Sequence, residues 1–164
     1  EDSVAAIRYV QSREDVDPNR LLILGQSLGG ANAIAAIGSN GFEGIRAVAI
    51  ESAFYSYTSI VRDKLKHIPV LCLLRWPLSF ILTGNSHSPS KAVEDISPVP
   101  LLIIHGTEDH VIPFDHGKTL FKKAEEPKEF WKIENGRHTE AFSRYGKEYR
   151  EKLVEFFLKA LEEK

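Results

Sequence analysis
The spacing of apolar residues changes period several times along the chain. Val4, Ile7, Tyr9 and Val10 recur at helical spacing and predict an amphipathic helix over residues 3–13, with Asp17-Pro18-Asn19 as the turn that closes it. Leu21 to Leu24 is a short, wholly apolar run, the pattern of a strand covered on both faces in a parallel sheet. A helix rich in small residues follows over 28–38 (Ala31, Ala33, Ala35, Ala36), and Asn40-Gly41 stops it. Further strands are predicted at 45–50, 101–104 and 128–133. Helices are predicted at 115–125, with Asp115 as the expected cap, and at 146–163, where Leu153, Phe156, Phe157, Ala160 and Leu161 form the apolar stripe. Strands alternating with helices predict an α/β domain, a mainly parallel sheet of about four strands flanked by helices.

Residues 53–97 break this alternation. The segment opens with Phe54, Tyr55 and Tyr57 and carries the apolar run Ile68 to Leu82. Pro69, Pro77 and Arg75 interrupt that run, and it is short for a bilayer span. Three readings remain open: core-packing helices, a lid or pocket wall inserted into one domain covering residues 1–164, or a peripheral membrane contact through residues 68–82.

Composition narrows the field. The 164 residues suffice for one substantial core, and 43% hydrophobic with 27% charged residues is an ordinary globular balance. A net charge of -2 gives no general attraction to nucleic acid, so a polyanion-binding role has little support. Cys72 is the only cysteine, which excludes an internal disulfide or a cysteine-based metal site; in its apolar run it is expected to be buried and inert. Glu1-Asp2-Ser3 lacks the pattern of a signal peptide, so a cytoplasmic location is expected.

The chemistry-bearing residues cluster at strand ends. Gly25-Gln26-Ser27-Leu28-Gly29-Gly30 joins a strand to a helix and matches the G-x-S-x-G nucleophile elbow. Ser27 would stand at the tip of a sharp turn. Gly25 and Gly29, lacking a Cβ, would let strand and helix approach, and the helix N-terminus would favour an oxyanion. A serine hydroxyl needs a base, and the base needs an orienting acid. Asp109 follows the third strand in His105-Gly106-Thr107-Glu108-Asp109-His110, and His138 follows the fourth in Glu134-Asn135-Gly136-Arg137-His138. Their order, Ser, Asp, His, is the one that goes with this elbow. Glu108 and Glu51 are rival acids, and His110 and His116 rival bases. His105 is expected to pack under the acid loop. The lysines Lys118, Lys122 and Lys123 read as a solvated helix face.

With these three loops the chain resembles the α/β-hydrolase superfamily, and within it the prolyl-oligopeptidase-like and esterase-like serine hydrolases. The lead-in Val16-Asp17-Pro18-Asn19-Arg20 is similar as well. The resemblance implies Ser27 as nucleophile, His138 as general base, Asp109 as acid and the Leu28 backbone N–H as an oxyanion donor. It implies a small-molecule acyl or peptide substrate, an acyl-enzyme intermediate and neither metal nor cofactor. It also implies that the chain is the C-terminal part of the fold, lacking the N-terminal strands and the loop that brings the second oxyanion donor. On that expectation the strand at residues 21–24 is an open edge through which the chain self-associates. The competing reading is a non-catalytic hydrolase scaffold that binds a ligand or protein partner.

Overall fold
The computed structural model describes residues 2–84 and 87–162. In chain order these are α1 (Asp2–Gln11), β1 (Leu21–Gln26), α2 (Leu28–Asn40), β2 (Ile45–Glu51), α3 (Tyr57–Leu65) and α4 (Arg75–Leu82). After two short 3-10 turns come β3 (Leu101–Gly106), α5 (Phe114–Lys123), β4 (Lys128–Ile133), α6 (Ala141–Tyr145) and α7 (Lys147–Glu162). Glu163, the expected last residue of the terminal helix, lies outside the described residues.

The strands form one fully parallel sheet in the order β1-β2-β3-β4. Every residue of β3 is buried, which is why its sequence is an unbroken apolar run up to His105. Alternate residues serve two cores. Val48, Ile50, Leu101 and Ile103 pack with Ile34 and Ile37 of α2 and Leu120 of α5 on one face. Ala47, Ala49, Leu102 and Ile104 pack with Ala141 of α6 and with Tyr149, Phe156 and Ala160 of α7 on the other. Helices on both faces of a parallel sheet make this a three-layer α/β arrangement, as expected.

β1, β2 and β3 continue past their apolar runs because the ladder does: Gln26 pairs with Glu51, and Gly106 with Ile133. The polar ends of β1 and β2 therefore lie side by side where the site is built. β1 is an edge of this sheet with Leu22 and Leu24 exposed, so it is not covered on both faces as its apolar run predicts: the described residues place no element over that side of it. At its far end α2 stops as expected: Gly41 adopts the left-handed conformation (φ 57°) and its N–H bonds to the Ile37 carbonyl at 3.0 Å.

Three details differ from expectation. The first helix ends at Gln11, and Asp17 instead accepts the Asn19 N–H at 2.9 Å in a separate turn. α5 begins at Phe114 with Pro113 in the capping position, so Asp115 is not the cap. Its carboxylate sits in the first turn, where it favours the helix dipole and pairs with Lys118. Cys72 is half-buried, not buried, with its thiol donating to the Pro69 carbonyl.

Within residues 53–97 the described part forms the helices α3 and α4 and the two 3-10 turns. Ser56 caps α3, accepting the Ser59 N–H at 3.1 Å. α4 tolerates Pro77 because it falls in the first turn, where no intrahelical N–H bond is lost. The Arg62 guanidinium stacks over Trp76, 3.7 Å from the ring centroid, and joins the two helices. Trp76, Phe80, Ile81 and Leu82 are exposed and Ser79 is the buried residue of α4, so α4 is not a core helix. No helix among the described residues is long and apolar enough to cross a membrane.

Candidate active site
Ser27 occupies the junction of β1 and α2 with φ 51° and ψ -122°. A positive φ is costly for serine, and this ψ lies outside the ordinary left-handed basin, so the elbow stores backbone strain. Two backbone bonds hold it: the Ser27 N–H donates to the Glu51 carbonyl at 2.8 Å, and its carbonyl accepts the Ala31 N–H at 3.2 Å. The N–H of Leu28 lies ahead of that first helical bond, among the groups that a helix leaves without an internal partner.

The elbow's close approach rests on Gly25 and Gly30. A Cβ on Gly25 would stand 2.7 Å from the Gly30 Cα, and one on Gly30 would stand 3.0 Å from the Gly25 carbonyl oxygen. Gly29 faces open space, with nothing within 4 Å of an added Cβ, so it contributes nothing to this approach, contrary to expectation. Gly25→Ala is therefore expected to cost about 2–3 kcal/mol through overpacking against backbone. Gly29→Ala should be neutral or stabilising by up to ~1 kcal/mol, since alanine favours a helix. Thermal unfolding of the two variants checks the contrast.

The three expected side chains meet. His138 Nε2 lies 2.9 Å from Ser27 Oγ, and His138 Nδ1 lies 2.8 Å from Asp109 Oδ2. The Asp109 side chain is fully buried, and its Oδ1 accepts the N–H groups of Val111 and Ile112, each at 2.8 Å. The carboxylate is thus fixed by its own loop and has Oδ2 left for the imidazole. This assigns Nδ1–H to His138, with Nε2 accepting from the serine hydroxyl.

Backbone contacts between the acid and histidine loops set that distance. Glu108 N–H bonds to the Gly136 carbonyl at 2.9 Å, and Thr107 N–H to the Ile133 carbonyl at 3.0 Å. Gly106 permits the crossing, since a Cβ there would lie 2.2 Å from the Gly136 oxygen. Thr139 (φ 54°) and Ser52 (φ 54°) are both in the left-handed region, and Thr139 N–H donates to Ser52 Oγ at 3.2 Å.

The rivals go elsewhere. Glu108 and His110 are exposed. Glu51 is buried and bonded to Gln26, Ala141 and Tyr149. His116 accepts the Tyr55 N–H at Nδ1 (3.0 Å) and donates from Nε2 to Asp63 Oδ2 (2.9 Å), tying α5 to α3. His105 packs beneath the acid loop as expected, its Nε2–H donating to the Ile112 carbonyl at 2.9 Å. The Glu51 and Asp63 contacts escaped the sequence reading because their partners are remote along the chain.

Burial pushes the pKa of both His105 and His116 down; hydrogen bonding to Ile112 and to Asp63, respectively, only partly opposes it. Desolvation raises Asp63, but the hydrogen bonds from His116 and Lys66 outweigh it and leave its pKa lowered. The unfolded chain therefore takes up the two histidine protons first. Their stabilising contribution is complete above the unfolded value of about 6.5 and is lost as pH falls below it. The melting temperature is expected to drop from about pH 7.5 to about pH 5.5; a flat profile over that range contradicts this.

A serine, histidine and aspartate thus stand in hydrogen-bonded series at a strained strand–helix turn, the arrangement that the resemblance implies. A family model described as "Prolyl oligopeptidase family" matches residues 1–164, and the chain belongs to that family. The uncharacterized protein YfhR of Escherichia coli O157:H7 is 44% identical over 162 residues, 98% of this chain and 53% of YfhR. The α/β hydrolase domain-containing protein WAV2 of Arabidopsis thaliana is 27% identical, over 99% of this chain and 54% of its own length. The chain thus spans about half the length of the curated relatives it matches. Among solved structures, hypothetical protein PA2218 from Pseudomonas aeruginosa aligns with a TM-score of 0.71 at 17% identity, covering 98% of this chain and 67% of that one. The esterase domain of a Rhodothermus marinus protein aligns with a TM-score of 0.63 at 23% identity, covering 88% and 62%. These likenesses show a hydrolase fold of which this chain forms part.

Proposed function
We propose that the protein is a serine hydrolase that cleaves an acyl ester, thioester or peptide bond through an acyl-enzyme. The observation that carries this reading is the unbroken series Ser27 Oγ–His138 Nε2 (2.9 Å) and His138 Nδ1–Asp109 Oδ2 (2.8 Å). Ser27 attacks the substrate carbonyl while His138 Nε2 takes its proton. Asp109 holds the imidazole in the Nδ1–H tautomer and stabilises the imidazolium that forms. The oxyanion receives the Leu28 N–H, favoured by the positive end of α2. His138 then protonates the leaving group, and water, activated by the same base, releases the acid. No step calls for a metal or organic cofactor.

The substrate's acyl or peptide side chain meets the α3–α4 segment. Phe54, Tyr57 and Ile60 cluster with Ala31, one turn beyond Ser27, and with Ile112 of the acid loop. Residues 53–97 in this role are a pocket wall, and their apolar content supports an apolar group on the substrate. Burst kinetics on a short p-nitrophenyl ester test the reading: a burst of one nitrophenolate per chain supports an acyl-enzyme, and no turnover by the full-length protein contradicts it.

The exposed apolar edge of β1 supports a second proposal, that the 164-residue chain pairs with another strand there. Light scattering is expected to give more than the monomer mass, and Leu24→Lys to return it to monomer. A monomer at high concentration for the unmodified chain rejects this.

A further inference from the structure
Glu51 is a second carboxylate at the site, and the mechanism above leaves it without a role. It is 2% exposed at the end of β2, next to the end of β1. A carboxylate withdrawn from water costs several kcal/mol unless donors satisfy it, so what satisfies it is informative. All three of its donors are neutral. Oε2 accepts from Gln26 Nε2 at 2.7 Å and from the Tyr149 hydroxyl at 3.3 Å, and Oε1 accepts the Ala141 N–H at 2.9 Å. Burial, then the adjacent Glu51 charge, pushes the Tyr149 hydroxyl up to about 12, so it remains an O–H donor.

These donors come from both sides of the Ser27–His138 bond. Gln26 immediately precedes Ser27, and Ala141 opens α6 just after the His138 loop. Backbone and neighbouring side chain repeat the pattern: the Glu51 carbonyl accepts the Ser27 N–H at 2.8 Å, and Ser52 Oγ accepts the Thr139 N–H at 3.2 Å. The end of β2 therefore grips the nucleophile's strand with one hand and the histidine's loop with the other. Ser27 and His138 are 111 residues apart and share one 2.9 Å hydrogen bond. The strained Ser27 backbone also has somewhere to relax to.

We infer that Glu51 is a positioning residue, whose carboxylate sets the separation of Ser27 and His138 by holding the elbow and the histidine loop to one point. The inference rests on the hydrolase reading of Ser27. A misplacement of about 1 Å between reacting groups costs on the order of 10² in rate, so loosening the clamp reads out as slower chemistry with unchanged substrate binding.

The experiment is fluorophosphonate inactivation of the full-length protein, with kinact and KI resolved, alongside melting temperatures. Glu51→Ala is expected to lower kinact by about 10- to 100-fold with KI unchanged. Glu51→Gln should stay within about threefold of wild type. Its amide oxygen can accept from Ala141, and its NH₂ can donate to Tyr149 and to a turned-over Gln26 amide. Gln26→Ala, an exposed position that leaves the core intact, should lower kinact by about 3- to 10-fold. A Glu51→Ala protein that melts earlier yet keeps wild-type kinact overturns the inference, because the contacts then serve stability alone. So does an unchanged kinact in Gln26→Ala, which decides the matter if Glu51→Ala does not fold. Absence of labelling in the wild type removes the nucleophile itself, and with it anything for Glu51 to position.

Discussion

Ser27→Ala is expected to lower kcat on an activated ester by on the order of 10⁶ while leaving the melting temperature near that of wild type. The size follows from the geometry. His138 Nε2 has one reacting partner, Ser27 Oγ at 2.9 Å, and deleting that oxygen leaves base and acid with nothing to activate. The fold has no use for the hydroxyl: no side-chain bond from Ser27 caps α2, and the elbow is held by the backbone N–H and carbonyl, which alanine retains. Alanine does meet the same positive φ as serine, so the strain is carried over and not relieved. His138→Ala should cost about as much, because residues acting as a unit lose their effect together. Turnover unaffected by Ser27→Ala would favour the competing reading, a hydrolase scaffold that binds without catalysis.

Asp109→Asn is the second large effect, expected to lower kcat by about 10⁴ with the fold intact. The asparagine oxygen can still accept the N–H groups of Val111 and Ile112, so the acid loop keeps its shape. The amide nitrogen then faces His138 Nδ1, 2.8 Å away, with hydrogens where the carboxylate had lone pairs. The imidazole must accept at Nδ1 and carry its hydrogen on Nε2. In that tautomer it points a donor at Ser27 and cannot take the serine proton. Stopped-flow ester hydrolysis at neutral pH checks this. A rate within a few-fold of wild type contradicts the assignment of Asp109. A loss that appears in Glu51→Gln instead transfers the acid role to Glu51, the rival that stands at the end of β2.

Much of this architecture is legible in the sequence because parallel strands buried on both faces announce themselves as apolar runs. β2 and β3 are such strands, and the loops after β1, β3 and β4 carry Ser27, Asp109 and His138 directly at the strand ends. The chain itself thereby orders the three residues at the carboxyl ends of the strands. What the sequence hides is long-range. Glu51 collects donors from positions 26, 141 and 149, and His116 finds Asp63 across 53 residues, so neither contact leaves a local signature. The choice between Gly29 and Gly30 turns on which helix face meets Gly25, a matter of phase that the motif alone does not give. Asp115 reads as a cap by residue type, but Pro113 with its fixed φ already starts α5. In residues 53–97 the apolar positions show no clean period, because α4 leaves most of its apolar side chains exposed and has no buried stripe to reveal.

The proposed chemistry requires Ser27 to be an activated nucleophile. Fluorophosphonate labelling of the full-length protein, with the modified peptide located by mass spectrometry, tests it most directly. The expected result is a single adduct on Ser27, abolished in Ser27→Ala and strongly slowed in His138→Ala. No adduct on the folded wild-type protein, or an adduct on another residue that persists in Ser27→Ala, contradicts it.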